Sequence, residues 1–345
     1  MAFSFPSSPS TGTQFVAPTG VVYVWDGTWT TIGDTQASNP FSNSFLYRTI
    51  YTKGYMNGGY KNSSPWRNVN KTIHATDLTT NLGDKLVYNS SYVGGGFSDY
   101  NSYIYPSTGA VGGSGTIVES MSMSTETMFS LDSARYLKST RSDCEALMNP
   151  SLTAAYIVGG GTSAVDRHNF TTDIMFVAGT APSAPLSGGT AGGLGVLFGQ
   201  YKAWISQGAG SSFTWATETW ATGGMSWSTD GQPKGLSSKH GHGYGGVGSY
   251  AGSSYLYKFS EATGSNLATV NRSKNNGEEN WQIGQNWGYM LGAYDSSPLG
   301  QNNDAEKVNY LTDTSTAMGS DTQPKGHDGA SSGSCATGSA VFVGY

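Results

Sequence analysis

The chain has 345 residues, a formal net charge of −5, 12% charged residues, 49 glycines, 21 tyrosines and 9 tryptophans. Aromatics in that number exclude a disordered chain, the absence of a basic run argues against nucleic acid as a partner, and no stretch approaches the 18 or so consecutive apolar residues of a membrane-spanning helix. Aromatics interleaved with Gly, Ser, Thr and Asn instead predict an all-β protein of many short strands joined by tight turns.

Met1–Ser10 offers neither a basic stretch nor an apolar run, so no secretory leader is expected and the chain is expected to be made in a cytosol and to stay soluble. Residues 1–20 are Pro-rich and are expected to form an arm or attachment segment, with Phe5, Pro6, Pro9 and Phe15 as its contact residues. Residues 21–345 are expected to form one β domain.

That domain contains a repeat. "YMNGGYKNSSPWRNVNKTIHATDLTT" from Tyr55 and "YMLGAYDSSPLGQNNDAEKVNYLTDTST" from Tyr289 share Y-M-x-G-x-Y followed by K-x-x-x-x-T-D-x-x-T. The shared residues are Lys71, Thr76, Asp77 and Thr80 in one copy and Lys307, Thr312, Asp313 and Thr316 in the other. Weaker copies carry Arg167 with Thr172-Asp173, Lys258 with Thr263, and the pairs Thr125-Glu126 and Thr217-Glu218, with Gly199-Tyr201 and Gly248-Tyr250 as glycine–aromatic markers. The threonines at 76, 125, 172, 217, 263 and 312 recur every 45 to 49 residues, and "DGQPKG" at Asp230 and "DTQPKG" at Asp321 lie two periods apart. A period of about 45–50 with several strands per unit predicts a kelch-like β-propeller. Counting back one period from Thr76 reaches "YVWDGTWTT", and the sequence closes on "GSAVFVGY". Pairing of these two stretches would complete a composite blade and remove two exposed edges, for seven blades in all, with six as the alternative. "LDSARYLKSTRSDCEALM" from Leu131 has the composition of an inserted turn of helix.

Catalytic patterns are few. Asp26 and Asp230 only graze a sialidase-type aspartate box, and the arginines are scattered. His240 and His242 with His327 and Asp328 could in principle meet as metal ligands, but no third spaced motif supports them, and surface histidines in Gly-rich loops are expected. Adjacent Glu278 and Glu279 would point to opposite faces of a strand and are expected in a solvated turn. Asp77, Asp173 and Asp313 occupy equivalent positions, which catalysis does not require, and are expected to hydrogen-bond turn backbone. "GGTAGGLG" at 188–195 has no following Lys-Ser/Thr and is expected to be a loop. Cys144 and Cys335 are expected to be small thiols outside any disulfide framework. Trp204, Trp215, Trp220 and Trp227 lie close together in sequence and could form a stacking or assembly surface, with core packing as the alternative. No cofactor, metal or enzymatic activity is expected.

Phe5, Pro6, Pro9, Gly12 and Phe15, followed by Gly20, Tyr23, Trp25, Asp26, Gly27 and Trp29, form a pattern F-P-x-x-P-x-x-G-x-x-F then G-x-x-Y-x-W-D-G-x-W. It resembles a segment of tailed-bacteriophage structural proteins, especially those of cyanophages, as do "GGYKNSSPWRNVNKTIHATDLTTNLGD" and "GEENWQIGQNWGYMLGAYD". The resemblance covers about a third of the chain. It implies a non-enzymatic virion component of the tail, neck or a fibre, assembled in the host cytoplasm, present in multiple symmetric copies and in contact with other virion proteins. A lectin-like tail-fibre module recognising a host surface glycan is the alternative, and a glycan-active enzyme the third reading. The resemblance gives no reason to expect nucleic-acid or membrane contacts.

Overall fold

The fold is described from a computed structural model. It describes residues 8, 10, 14–16, 22–25, 29–31, 51–58, 60–61, 64–65, 67–88, 96–98, 102–106, 115–141, 144–148, 153–160, 162–180, 195–198, 202–206, 210–223, 225, 234–237, 241–246, 254–273, 280–283, 286–296, 299–318 and 341–344. The chain divides into two compact units, Met1–Arg48 and Thr49–Tyr345.

In the smaller unit Val22–Trp25 is the middle strand of a three-stranded antiparallel sheet, between Gln14–Val16 and Trp29–Thr31. The larger unit contains six four-stranded antiparallel sheets and a small hairpin of Tyr60–Lys61 with Ser64–Pro65. The first sheet runs Val341–Gly344, Tyr51–Asn57, Asn68–Ile73, Leu78–Asp84 across its width. The second holds Phe97–Ser98, Tyr103–Tyr105, Glu119–Ser122 and Met128–Ser130. The third holds Cys144–Met148, Ala154–Gly159, Ala164–Asn169 and Ile174–Thr180. The fourth holds Gly195–Phe198, Lys202–Ser206, Ser211–Thr214 and Thr219–Thr222. The fifth holds Lys234–Ser237, His242–Gly246, Tyr255–Ser260 and Asn266–Asn271. The sixth holds Asn280–Ile283, Trp287–Ser296, Leu299–Asn309 and Thr314–Met318.

All-β structure and the six-copy repeat thus correspond to real elements: each repeat threonine lies between the third and fourth strands of one sheet. The expected kelch-like propeller, seven-bladed or six-bladed and closed by pairing of residues 21–31 with the last strand, is not found. The sheets are six separate antiparallel units. Val22–Trp25 already has both edges filled, and Val341–Gly344 pairs with Tyr51–Asn57, Val343 opposite Lys53. Among the described residues no seventh four-stranded sheet is assembled, and residues 22–25 and 29–31 share a sheet with 14–16 in the smaller unit. The helical expectation for 131–148 also fails. Asp132 Oδ1 accepts the Ala134 N–H at 3.0 Å, a local turn that competes with helix, and Cys144–Met148 is a strand.

Each sheet buries side chains against its neighbours. Tyr55, Val69 and Leu86 of the first sheet and its exit pack with Ile104, Met121 and Met123 of the second. Trp204 of the fourth packs with Met225 and with Phe259 of the fifth. The second strand of the third sheet, Ala154–Gly159, is buried at every residue. First strands also touch in succession: Phe97–Ser98 lies against Cys144–Met148, that strand against Gly195–Phe198, and so on through Lys234–Ser237 to Asn280–Ile283. Val341–Gly344 touches both Asn280–Ile283 and Phe97–Ser98.

Because residues 14–31 complete their own sheet, a chain beginning at Thr49 is expected to keep one cooperative thermal transition at the midpoint of the full chain, followed by circular dichroism. Loss of that transition would show that the larger unit needs residues 1–48.

Candidate functional site

The repeat's most informative position is the residue after each threonine. Asp77, Glu126, Asp173, Glu218 and Asp313 all adopt positive φ, between 51° and 56°, and in the remaining copy the position is Gly264, at φ 70°. The turn itself explains the angle. Its last residue donates its N–H four residues back, Asp173 to Asn169 O at 2.8 Å and Gly264 to Ser260 O at 2.8 Å, which closes a tight loop ending in the left-handed region. Side chains at the first position brace it: Asn309 Oδ1 accepts from Leu311 N–H at 2.8 Å and Thr312 N–H at 3.1 Å. Glycine suits such a site, and an acid there is sterically disfavoured, so five acids in it call for a compensating contact.

The contact is with the preceding sheet. Asp313 Oδ1 accepts from the Tyr244 hydroxyl at 2.6 Å and from Lys258 Nζ at 2.8 Å. Glu126 Oε1 accepts from Lys71 Nζ at 2.7 Å and from the Tyr55 hydroxyl at 3.2 Å. Glu218 Oε1 accepts from the Tyr156 hydroxyl at 2.6 Å, with Arg167 Nε at 3.5 Å. Asp77 accepts from the Tyr289 hydroxyl at 2.9 Å and pairs with Lys307. In every case the tyrosine and the cation stand directly opposite each other on the second and third strands of their sheet. The turn residue three before the acid packs on that same tyrosine. His74 stacks on Tyr289 at 4.6 Å, Tyr310 on Tyr244 at 6.0 Å, and Trp215 lies tilted against Tyr156 at 6.0 Å.

Two joints depart from the pattern. The second sheet has Tyr105 and Ser120 at the tyrosine and cation positions, and the acid that faces it, Asp173, takes Arg135 Nε at 2.6 Å and His168 Nε2 at 3.0 Å instead. Tyr105 packs on His168 at 4.9 Å and on Phe170 at 6.2 Å. The fourth sheet has Trp204 opposite Ser212, and the facing residue is Gly264. A Cβ on Gly264 would stand 2.8 Å from the Trp204 ring, whose Nε1 donates to Glu261 O at 2.8 Å. Where the tyrosine–cation pair is absent, the acid is either re-partnered or replaced by glycine.

A second set of carboxylates sits six residues before the repeat threonine and holds the segment leaving the previous sheet. Glu119 accepts N–H groups of Val87 at 3.0 Å and Tyr88 at 2.8 Å, and Asp166 Oδ2 those of Lys138 and Ser139, both at 3.2 Å. Glu306 accepts from Ser273 N–H at 3.1 Å and pairs with buried Arg272. Asp166 also binds Arg141 Nε at 3.2 Å, and both side chains are fully buried. Such a pair persists because the rest of the guanidinium is used: Nη1 donates to Gly159 O and Nη2 to Ala164 O, each at 2.5 Å.

Protonation follows from these partners. Burial alone would raise the Glu126 and Asp313 carboxyls, but the lysine and tyrosine donors outweigh it and hold both below their usual values. Burial pushes the Tyr156 phenol up to about 12, aided by Glu218, and raises Tyr244 and Tyr289 similarly, aided by Asp313 and Asp77. Burial lowers the Lys53 ammonium, which donates to Met123 O at 3.3 Å. Burial also raises Glu119, against the opposing pull of its two N–H donors and Arg67.

The residues singled out from sequence are distributed otherwise. Trp204 and Trp215 are buried between sheets, so neither presents a ring for stacking; Trp220 is half-buried against Phe213 at 4.8 Å, and Trp227 lies outside the described residues. Phe15 is on the strand Gln14–Val16, opposite Tyr23, while Phe5, Pro6 and Pro9 lie outside the described residues. His242 Nε2 lies 3.1 Å from Tyr310 O and 3.3 Å from the Tyr244 hydroxyl. Asp26, Asp230, His240, Glu278, Glu279, His327, Asp328 and Cys335 lie outside the described residues, as do the marker tyrosines Tyr201 and Tyr250, and Cys144 is buried. Among the described residues no cluster of three His, Cys, Asp or Glu could hold a metal. Asp77 and Asp313 use their carboxylates on the neighbouring sheet, and Asp173 uses its own on Arg135 and on His168 of its own sheet, rather than on turn backbone. A signal was in the sequence: Thr263-Gly264, the copy without an acid, follows the copy that has Ser212 at the cation position and Trp204 in place of the tyrosine.

No family model and no curated protein matches the chain. The resemblance to tailed-phage virion proteins therefore stands on short Gly-, Pro- and Trp-containing stretches alone, and the phage identity is withdrawn together with the kelch-like propeller it accompanied. Much of that pattern consists of turn and strand residues that any β-rich chain uses.

Glu126 and Asp313 are lowered in the folded state, so the stability they contribute is present above their unfolded values of 4.5 and 3.8 and is lost as pH falls through the folded ones. Tyr156 is raised, so its contribution is present below 10 and is lost as pH rises through about 12. Thermal midpoints are expected to fall on both sides of a plateau. Glu126→Gln with Asp313→Asn should flatten the acid limb, and Tyr156→Phe the alkaline one. Acid limbs that superimpose in the variant and the parent would show that these carboxylates do not join the sheets.

Proposed function

We propose that the chain is a non-enzymatic structural component that makes protein–protein contacts within an assembly. The observation that carries this reading is the repeat-locked use of the titratable groups. Catalysis needs one asymmetric constellation with a displaced pKa in a cleft, whereas here carboxylate, tyrosine and cation recur at equivalent turns with their bonding directed at the neighbouring sheet. Such wiring favours a rigid body that presents loops and strand edges.

Exposed apolar side chains supply contact surface. Ile174, Phe176 and Val177 are 46%, 38% and 53% exposed on Ile174–Thr180, the edge strand of the third sheet. Leu78, Phe129 and Leu267 stand exposed on the fourth strands of three other sheets. Outward apolar residues on edge strands suit contact with other chains. The glycan-binding alternative rested on Trp204, Trp215, Trp220 and Trp227, of which Trp204 and Trp215 are buried.

Ile174→Thr with Val177→Thr, which keeps β-branched residues on the strand, is expected to change folding stability by under about 0.5 kcal/mol while abolishing incorporation of the chain into the complex recovered from producing cells, read by sedimentation and mass spectrometry. Undiminished incorporation of the double variant would remove this strand from the assembly surface. Hydrolysis of a glycoside by the purified chain, lost in Glu278→Gln or Asp230→Asn, would overturn the non-enzymatic reading.

A further inference from the structure

Five of the six four-stranded sheets are built from consecutive strands, but the first takes Val341–Gly344 from a distant part of the chain. Residues 319–340 tie that strand to the sixth sheet and form the longest of the inter-sheet connections, the others ranging from 272–279 to 181–194. Its ladder is short, and the register slips between Val343 and Gly344. The same sheet holds buried amides without hydrogen-bond partners among the described residues: both polar atoms of Asn57 and of Asn70, and Asn68 Oδ1. Unmet buried polar groups lower local stability, and among the described residues the first sheet holds more such atoms than any other.

We propose that Val341–Gly344 is an exchangeable strand, which leaves Tyr51–Asn57 in one copy and is replaced there by Val341–Gly344 of a second copy, reciprocally. The vacated edge is selective. Tyr51–Asn57 stays fixed on its other side by Asn68–Ile73, with Tyr55 opposite Lys71, and offers a row of backbone donors and acceptors in the register that Val341–Gly344 satisfies. A second copy carries the identical strand and reproduces every backbone bond. Exchange conserves contacts, so the balance between closed monomer and exchanged dimer is set by the effective concentration of the tethered strand, on the order of 1 mM. The inference deepens the assembly reading above and rests on it for its purpose, although strand exchange itself can be observed without it.

Lys53 and Val343 are Cα partners in the ladder. Full-length Lys53→Cys/Val343→Cys, with Cys335→Ala to remove a competing thiol, is prepared in heavy- and light-isotope forms. The two are mixed, incubated at about 1 mM and at about 10 μM, oxidised and digested. Mixed-isotope 53–343 linkages are expected at the higher concentration and should fall at least about tenfold on dilution. Linkage confined to one isotope at both concentrations, or no 53–343 linkage at all, overturns the proposal. The unsubstituted chain should show at about 1 mM a dimer that a peptide of residues 338–345 dissolves, and a dimer that the peptide leaves intact also overturns it. Glycoside hydrolysis would defeat the assembly reading without touching these cross-links.

Discussion

A carboxylate held in a left-handed turn, reaching across to a tyrosine and a cation of the next sheet, is the contact on which the larger unit depends. A four-stranded sheet with one edge strand exposed buries too little apolar surface to stand alone, and its neighbours must be placed accurately for the cores between them to close. Van der Waals packing is non-directional and tolerates sliding. The charged hydrogen bond from Lys258 and Tyr244 to Asp313 fixes where the fifth and sixth sheets meet, and Lys71 and Tyr55 on Glu126 do the same for the first and second. Both lysines also lie within cation–π or ion-pair reach of aromatic and acidic neighbours, so each cation serves its own sheet and the next.

The geometry carries a cost that makes the role legible. Positive φ at a non-glycine residue is disfavoured by about 1–2 kcal/mol, and an acid withdrawn from water loses hydration as well. Five turns accept that cost, four where a cation and a tyrosine hydroxyl await the acid and one, Asp173, where Arg135 and His168 do. The sixth turn, facing Trp204 and Ser212, has nothing to offer a carboxylate and carries Gly264, over which the indole lies. Packing and ion pairing are therefore alternative solutions to one positional problem, and the Asp173–Arg135–His168 joint is an intermediate case. The deeper carboxylates Glu119, Asp166 and Glu306 add a second constraint by holding the segments that run between sheets.

Much of this was legible in the sequence and some was not. The repeat threonines located all six turns, because a tight loop needs the same residues each time it is made. Lys71, Arg167, Lys258 and Lys307 were visible at a fixed spacing, but spacing along one strand says nothing about which sheet a side chain faces, so the aspartates were assigned to their own turns. The seventh unit was an error of counting by period: Val22–Trp25 and Trp29–Thr31 are strands, but Val22–Trp25 pairs with Gln14–Val16 and Trp29–Thr31 on its two sides rather than with a strand at the far end. Periodicity cannot distinguish a local hairpin from a long-range pairing. Trp204 and Trp215 were open to a surface or a core reading from their closeness in sequence, and they fill joints on opposite sides of the fourth sheet, one against the fifth and one against the third.

The direct test of the joint is a double-mutant cycle at Asp313 and Lys258 in which glycine and alanine separate backbone strain from lost bonding. Asp313→Ala keeps the strained conformation and loses the carboxylate, whereas Asp313→Gly relieves the strain, so the alanine variant should be less stable by about 1 kcal/mol. Lys258→Met should cost about 1–2 kcal/mol alone, discounted from a buried charged bond because both groups are part-exposed, and close to nothing in the Asp313→Gly background. Denaturant unfolding of the parent and the four variants gives these differences. Costs that simply add would mean that the turn carboxylate and the neighbouring sheet's lysine are independent, and that the sheets are joined by packing alone.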